Sequence, residues 1–130
     1  MCLRFVLLAL SLVTTPVSAT IVFLHGSFAV NSTWYRPGGA FYEEVAKHAP
    51  AKKQTLSPFS WSGKFTSKAI IEDAGELVKY LLSLPPNEEI SIIAHSNGGN
   101  VTAYATIILA ELYQAMATAI EQVQIGRAHV

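Results

Sequence analysis

The residue best placed to carry out chemistry in this sequence is Ser96. It lies in the segment Ile90–Asn100, ISIIAHSNGGN, where an apolar run leads into a small polar cluster and then into an apolar pattern with helical spacing. This pattern predicts a strand, a tight turn and a helix, with Ser96 at the apex of the turn. A serine in that position exposes its hydroxyl beyond the end of a sheet, where it can attack a carbonyl carbon as a nucleophile. The alternative is a structural serine in an ordinary strand–helix turn.

Small residues flank Ser96 at the positions two before and two after it, which are Ala94 and Gly98. A sharp strand–turn–helix junction needs small residues there because the strand and the helix nearly touch. We therefore expect Gly98 and Gly99 to permit close packing of the helix on the strand. His95 adjoins the serine in the chain, but neighbouring residues around a sharp turn point in different directions. A packing role is therefore favoured for His95 over a catalytic one.

A second candidate segment, Thr20–Ser27, reads TIVFLHGS and ends an apolar run with His25-Gly26. A glycine after a strand lets the backbone turn sharply, so that the N–H of the next residue, Ser27, can point at a reacting carbonyl oxygen. With the backbone N–H of Asn97, it would form an oxyanion hole of two donors. We expect His25 to brace this loop rather than to act as a base.

Taken together, the two segments resemble the α/β-hydrolases, which have a nucleophile elbow of the form G-x-S-x-G and an oxyanion loop after an earlier strand. Ala94 replaces the first glycine, as in small bacterial lipases with an A-H-S-x-G-G elbow. The segments HGSFAVNSTWYRPGGAFYEEV, PFSWSG and SIIAHSNGGNV are similar to a bacterial and fungal group of α/β-hydrolases of uncertain substrate. This similarity covers most of Thr20–Thr102.

The resemblance implies a serine hydrolase that acts on carboxylic esters, as lipases and esterases do, through an acyl-enzyme on Ser96. It implies no cofactor and no metal. An acyltransferase of the same fold differs only in the acceptor that reaches the acyl-enzyme. A non-catalytic binding module with a hydrolase-like fold is a third alternative, from a different functional class.

Predicted strands and helices alternate along the chain. The strands are predicted over Thr20–Leu24, Gln54–Ser60 and Ile90–Ala94, and the helices over Ala40–His48, over Thr66–Leu84 and from about Gly98 onward. Such alternation predicts an α/β fold with three parallel strands and flanking helices. Both candidate segments fall at the carboxyl ends of strands, where such sheets bind ligands. Three strands are part of a hydrolase sheet, so we expect the C-terminal half of the fold to be missing and the last strand to have an open apolar edge.

The catalytic base and acid are not visible in the sequence. In this fold both follow the serine in the chain, and only Glu111, Glu121 and His129 follow Ser96. The two glutamates lie on the helix that leads away from the serine by about 5 Å per turn, so neither can return to it. The final string IGRAHV resembles an in-frame translation of a sequencing-library adapter. We therefore expect residues 124–130 to be a non-native tail, and residues 20–123 to be the N-terminal part of an α/β-hydrolase domain.

The N-terminus has the form of a secretory signal over residues 1–19. Arg4 supplies the positive charge, Phe5–Val13 is a short apolar core, and Val17-Ser18-Ala19 fits a cleavage site. The apolar core is too short to span a bilayer. The sequence therefore predicts a secreted or periplasmic protein without a stable membrane span.

Composition argues against several other classes of protein. The chain has 9 Lys and Arg against 9 Asp and Glu, so its net charge of 0 does not favour nucleic-acid binding. Its histidines lack the spacing of metal ligands, and its one cysteine, Cys2, lies in the expected signal. The expected partner is a small-molecule or lipid ester. Trp34, Tyr35 and Trp61 are candidates for lining an acyl pocket, with loop packing as the alternative.

Overall fold

The described part of the chain is built around one parallel sheet of three strands. A computed structural model describes residues 18–49 and 54–128. The elements in chain order are β1 (Ala19–Leu24), α1 (Ala40–His48), β2 (Gln54–Phe59), α2 (Ser67–Ser83), β3 (Glu89–Ala94) and α3 (Asn97–Ala128). The strand order is β2-β1-β3 and both pairs are parallel. This confirms the predicted α/β class, with three parallel strands and flanking helices. The expected signal sequence up to residue 17, and His129, lie outside the described residues.

Strand β1 is central because its apolar side chains are covered on both faces of the sheet. Val22 and Leu24 belong to a core formed with α2 and α3, whereas Ile21 and Phe23 pack on the opposite side with Tyr35. Burial on both faces explains why the apolar run in β1 is continuous rather than alternating. The carboxyl end of β1 therefore leads directly from the core into the His25-Gly26 loop.

Helix α2 carries clear start and stop signals. The Thr66 hydroxyl accepts a hydrogen bond from the Ala69 N–H at 3.3 Å, which satisfies one of the free amides at the helix start. Leu84 caps the other end immediately before Pro85. The helix therefore differs from the predicted span only in these two capping residues.

The start of β1 is tied to the start of β3 through Glu88. The hydroxyls of Ser18 and Thr20 both donate hydrogen bonds to its carboxylate, that of Thr20 at 2.5 Å. These hydrogen bonds lower the pKa of Glu88 below its ordinary value, and the one from Ser18 has the larger effect. Strand β1 begins at Ala19, one residue before the predicted start, so cleavage after Ala19 would remove its first residue.

The second half of α3 differs from the prediction. The sequence predicts an apolar stripe along α3 as far as Val123, yet only Val101 and Ala105 are buried and residues 110–127 are exposed. The reason is that no described element lies beside this half of the helix. Among the described helices, α3 also has the length and composition of a membrane span. Because core helices of soluble proteins pass the same test, the predicted absence of a stable span stays a prediction.

Strand β3 pairs with β1 alone within the described ranges, so it is an edge strand, as predicted. Ile90 on this strand is exposed. An apolar groove of about 320 Å³ runs between α2, β3 and α3 and is lined by Leu81, Ile92 and Leu109, among others. This edge lies next to the junction that carries Ser96.

Candidate active site

Ser96 adopts a backbone conformation that residues other than glycine rarely take. Its φ angle is 52°, in the left-handed region, at a cost of about 1–2 kcal/mol for a residue with a Cβ. Strand β3 ends at Ala94 and α3 begins at Asn97, so Ser96 lies in a junction of two residues. The Gly98 N–H closes the turn by donating to the His95 carbonyl oxygen at 2.9 Å. The serine is therefore held in a strained strand–turn–helix junction, which is the geometry that the sequence predicts.

At Gly98 the start of α3 lies directly against the end of β1. A Cβ placed on it would lie 2.6 Å from the carbonyl oxygen of His25 and 3.1 Å from that of Leu24. Gly99 differs, because a Cβ placed there would meet nothing within 4 Å. The prediction that both glycines permit close packing is therefore right for Gly98 and wrong for Gly99, which faces open space.

The loop after β1 turns sharply at Gly26 and passes directly beside Ser96. The Ala29 N–H donates to the Gly26 carbonyl oxygen at 3.2 Å, which closes a four-residue turn. Its third residue, Phe28, has a φ of 59°, as the third position of a type II turn requires. A Cβ placed on Gly26 would lie 3.1 Å from the Ser96 Cβ. The two segments singled out from the sequence are therefore in contact.

Two backbone N–H groups beside Ser96 remain available as donors. Within residues 18–49 and 54–128, neither the Ser27 N–H nor the Asn97 N–H has a hydrogen-bond acceptor. The next donor in the loop, the Phe28 N–H, is already bonded to the Gly63 carbonyl oxygen at 3.0 Å. Ser27 and Asn97 are the two residues that the sequence predicts as oxyanion donors, and the geometry leaves their N–H groups free for that role.

The side chains of Ser27 and Asn97 also connect the loop to α3, which sequence reasoning missed. The Asn97 amide nitrogen donates to the Ser27 hydroxyl at 2.9 Å, and the Asn100 amide donates to the Asn97 side-chain oxygen at 2.7 Å. Both asparagines belong to the string N-G-G-N, which is residues 97–100. Only the fold shows that this string faces the earlier loop.

His25 is fully buried, and both of its ring nitrogens are engaged. Its Nδ1 lies 2.8 Å from the Gly26 carbonyl oxygen, which can only accept, so Nδ1 carries the proton. Its Nε2 then accepts a hydrogen bond from the Trp61 backbone N–H at 3.2 Å. A neutral histidine with both nitrogens occupied has no nitrogen left to take a proton from Ser96. The geometry fits the bracing role predicted for His25.

His95 and His48 take no part in a hydrogen bond to the Ser96 hydroxyl. The exposed ring of His95 packs edge-on against Trp34, with 5.8 Å between the ring centroids, in agreement with a packing role. His48 ends α1 and contacts the Glu44 carbonyl oxygen at 2.9 Å. Across the described ranges, no histidine or carboxylate hydrogen-bonds to Ser96, and no cluster of side chains could hold a metal ion.

A cleft of about 550 Å³ opens beside His95, between the loop after β1, α1 and β3. Trp34, Phe41 and Ile93 supply its large apolar walls. Of the three aromatic residues predicted as candidates for an acyl pocket, only Trp34 lines this cleft. Tyr35 and Trp61 are buried and serve the alternative role, loop packing.

Comparison of the chain with protein-family models, with curated proteins and with solved structures gives no match. The functional assignment of the site therefore depends on its own geometry.

Proposed function

We propose that this chain carries the nucleophile and the oxyanion hole of an α/β-hydrolase that cleaves carboxylic esters. The observation that carries the proposal is the left-handed Ser96 at the β3–α3 junction, with the Gly26 loop against it. An ordinary strand–helix turn has no need for a strained serine, because glycine would adopt the same φ without cost.

The reaction follows from the positions of these groups. The Ser96 oxygen attacks the ester carbonyl carbon, while a base takes the hydroxyl proton. The carbonyl oxygen becomes an oxyanion, and the N–H groups of Ser27 and Asn97 stabilise its charge together with the positive end of α3. The alcohol leaves with the proton from the base, and water then attacks the acyl-enzyme to release the acid. In this proposal the base and its acid belong to a part of the fold outside the described residues.

The proposal can be tested without knowledge of the natural base. The 130-residue chain is incubated with an alkyl fluorophosphonate, with and without added imidazole, and the adduct is located by peptide mass spectrometry. Ser96 attacks phosphorus, fluoride leaves, and imidazole takes the proton that a histidine side chain would take. We expect a single adduct on Ser96 whose formation accelerates with imidazole.

The matched controls are Ser96→Ala, which should abolish the adduct, and Ser91→Ala, which removes another exposed serine and should leave it unchanged. Labelling that persists in Ser96→Ala, or wild-type protein that stays unlabelled at Ser96 in imidazole, would contradict the proposal. The second outcome would favour a non-catalytic binding module. That alternative is supported by the lack of any hydrogen-bonded base at Ser96 within the described ranges.

A further inference from the structure

The oxyanion loop holds one residue, Phe28, in a conformation that its own side chain does not stabilise. Phe28 has a φ of 59° although it carries a bulky side chain, and that side chain is 81% exposed. A left-handed residue of this kind persists only where surrounding structure holds it in place. The burial of Phe28 is too small to do so, which leaves the contacts made by the loop backbone.

Besides the Ala29–Gly26 hydrogen bond of the turn itself, these contacts come from a segment outside both candidate motifs, Trp61–Gly63, which we call the WSG segment. The Phe28 N–H donates to the Gly63 carbonyl oxygen at 3.0 Å. Gly63 itself has a φ of 71°, and a Cβ placed on it would lie 3.3 Å from the Phe28 nitrogen. A side chain at position 63 would therefore disturb the contact that holds Phe28.

Trp61 makes three contacts with His25. The indole N–H donates to the His25 carbonyl oxygen at 2.7 Å, and the Trp61 backbone N–H donates to His25 Nε2 at 3.2 Å. The two rings stack, with 5.2 Å between centroids and an angle of 13° between planes. Both side chains are buried, so these hydrogen bonds are shielded from water.

The His25 carbonyl group is in contact with Trp61, with the start of α3 and with the loop after β1. Its oxygen accepts from the Trp61 indole, and it is also the atom against which Gly98 packs, 2.6 Å from a Cβ placed there. The same carbonyl belongs to the peptide that leads into Gly26 and Ser27. Fixing it therefore fixes the direction in which the loop leaves β1, relative to the start of α3.

The WSG segment is itself hydrogen-bonded to helix α2. The Asp73 carboxylate accepts hydrogen bonds from the Ser62 backbone N–H at 3.2 Å and from the Ser62 hydroxyl at 2.5 Å. A continuous set of hydrogen bonds thus runs from α2 through the WSG segment to the loop beside Ser96.

We propose that Trp61 is a positioning residue for the oxyanion hole, acting through His25 to hold the Ser27 N–H in place beside Ser96. This inference rests on the proposed function. Trp61 does not line the cleft, and within the described ranges it makes no hydrogen bond to Ser96. Trp61→Phe keeps an aromatic ring for stacking but removes the indole N–H, so the His25 carbonyl loses its partner. We expect the maximal rate of fluorophosphonate labelling at Ser96 to fall on the order of tenfold, less than the loss of an oxyanion donor itself.

The experiment measures labelling at Ser96 over a range of probe concentrations, in a fixed excess of imidazole. Tyr80→Phe is the matched control, because it also removes one hydrogen-bonding group from an aromatic side chain that packs on the core. The Tyr80 hydroxyl lies 2.5 Å from the Ser57 hydroxyl, and Tyr80 is partly buried. Trp61→Phe should lower the maximal labelling rate without changing the probe concentration that gives half of that rate. In parallel, hydrogen exchange should accelerate at the Phe28 amide but not in β1.

The possible outcomes separate the two proposals. Labelling of Trp61→Phe at the rate of Tyr80→Phe would overturn the positioning role, as would equal loss of protection throughout β1, since that reports general destabilisation. Wild-type protein without any Ser96 adduct in imidazole would overturn the proposed function and the positioning role with it. Slower labelling in Trp61→Phe alone, with faster exchange at Phe28, would support the inference.

Discussion

Gly26 and Ser96 lie so close that a Cβ placed on Gly26 would be 3.1 Å from the Ser96 Cβ and 2.9 Å from His95 Nδ1. No side chain separates the backbone of the loop from the serine. This contact brings the Gly26–Ser27 backbone up to the serine, and it depends on the absence of a side chain at position 26.

Gly26→Ala should therefore impair the site more than the fold. The new methyl group forces the loop and the junction apart by a few tenths of an ångström or more, and small misplacements of reacting groups cost on the order of tenfold to a hundredfold in rate. The measurement is the rate of fluorophosphonate labelling at Ser96 in imidazole. Gly75→Ala in α2 is the control, because a Cβ there would meet nothing within 4 Å. Equal labelling rates for the two variants would show that Gly26 and Ser96 are not in close contact.

Gly98→Ala and Gly99→Ala should shift the free energy of unfolding in opposite directions. At Gly98 the methyl group would meet the carbonyl oxygens of His25 and Leu24, at the end of β1, at 2.6 and 3.1 Å, and overpacking of this kind costs about 1–3 kcal/mol. At Gly99 there is open space, and replacing a helical glycine with alanine stabilises by about 0.5–1 kcal/mol. Gly98→Val should be more damaging still. Urea unfolding followed by circular dichroism measures these differences, and a Gly98→Ala protein as stable as wild type would show that α3 and β1 are not in close contact.

Ser96→Gly should be more stable than Ser96→Ala by about 1 kcal/mol. Both variants lose the hydroxyl, but only glycine adopts a φ of 52° without steric cost. The comparison of the two thermal unfolding midpoints isolates the backbone strain from the loss of the side-chain oxygen. Identical midpoints would mean that the junction is relaxed and that Ser96 is an ordinary turn residue.

Glu88→Gln should reduce the acid sensitivity of the fold. Hydrogen bonds from Ser18 and Thr20 hold the pKa of Glu88 below its ordinary value of 4.5. The carboxylate therefore contributes stability that is complete above the unfolded pKa and is lost as the pH falls through the lower, folded pKa. The free energy of unfolding, measured from neutral pH down to below pH 4.5, should fall less steeply for Glu88→Gln than for the wild type. Glu89→Gln, its exposed neighbour, is the control for the loss of one negative charge at this end of the sheet.

Local signals in the sequence predicted the elements and the two candidate motifs. The apolar run of β1 predicted a central strand, and the helical spacing of apolar residues predicted a helix from Thr66, within one residue of the observed start of α2. The requirement for a small residue at Gly98 also followed from local pattern. Each of these features depends on residues that are close together in the chain.

The contacts that hold the site together could not be predicted, because they join distant segments. Trp61 and His25 are 36 residues apart, and Asn97 and Ser27 are 70 apart. Nothing in the local pattern around Phe28 indicates a positive φ, since the supporting hydrogen bond runs from the Phe28 N–H to the carbonyl oxygen of Gly63 in a different loop. The exposure of α3 after Leu109 was also missed, because an apolar stripe shows only that a helix side can be buried, not that a neighbour covers it.

Among residues 18–49 and 54–128, the outer edge of β3 is unpaired and α3 exposes an apolar side, which has a consequence for the behaviour of the protein in solution. Backbone N–H and C=O groups along an open strand can pair with another chain, and an adjacent apolar surface strengthens such association. The protein should therefore self-associate as its concentration rises, with light scattering increasing before any change in secondary structure. Because the edge of β3 ends two residues before Ser96, aggregation would bury the serine. Rates of labelling are therefore best compared at concentrations where the protein is shown to be monomeric.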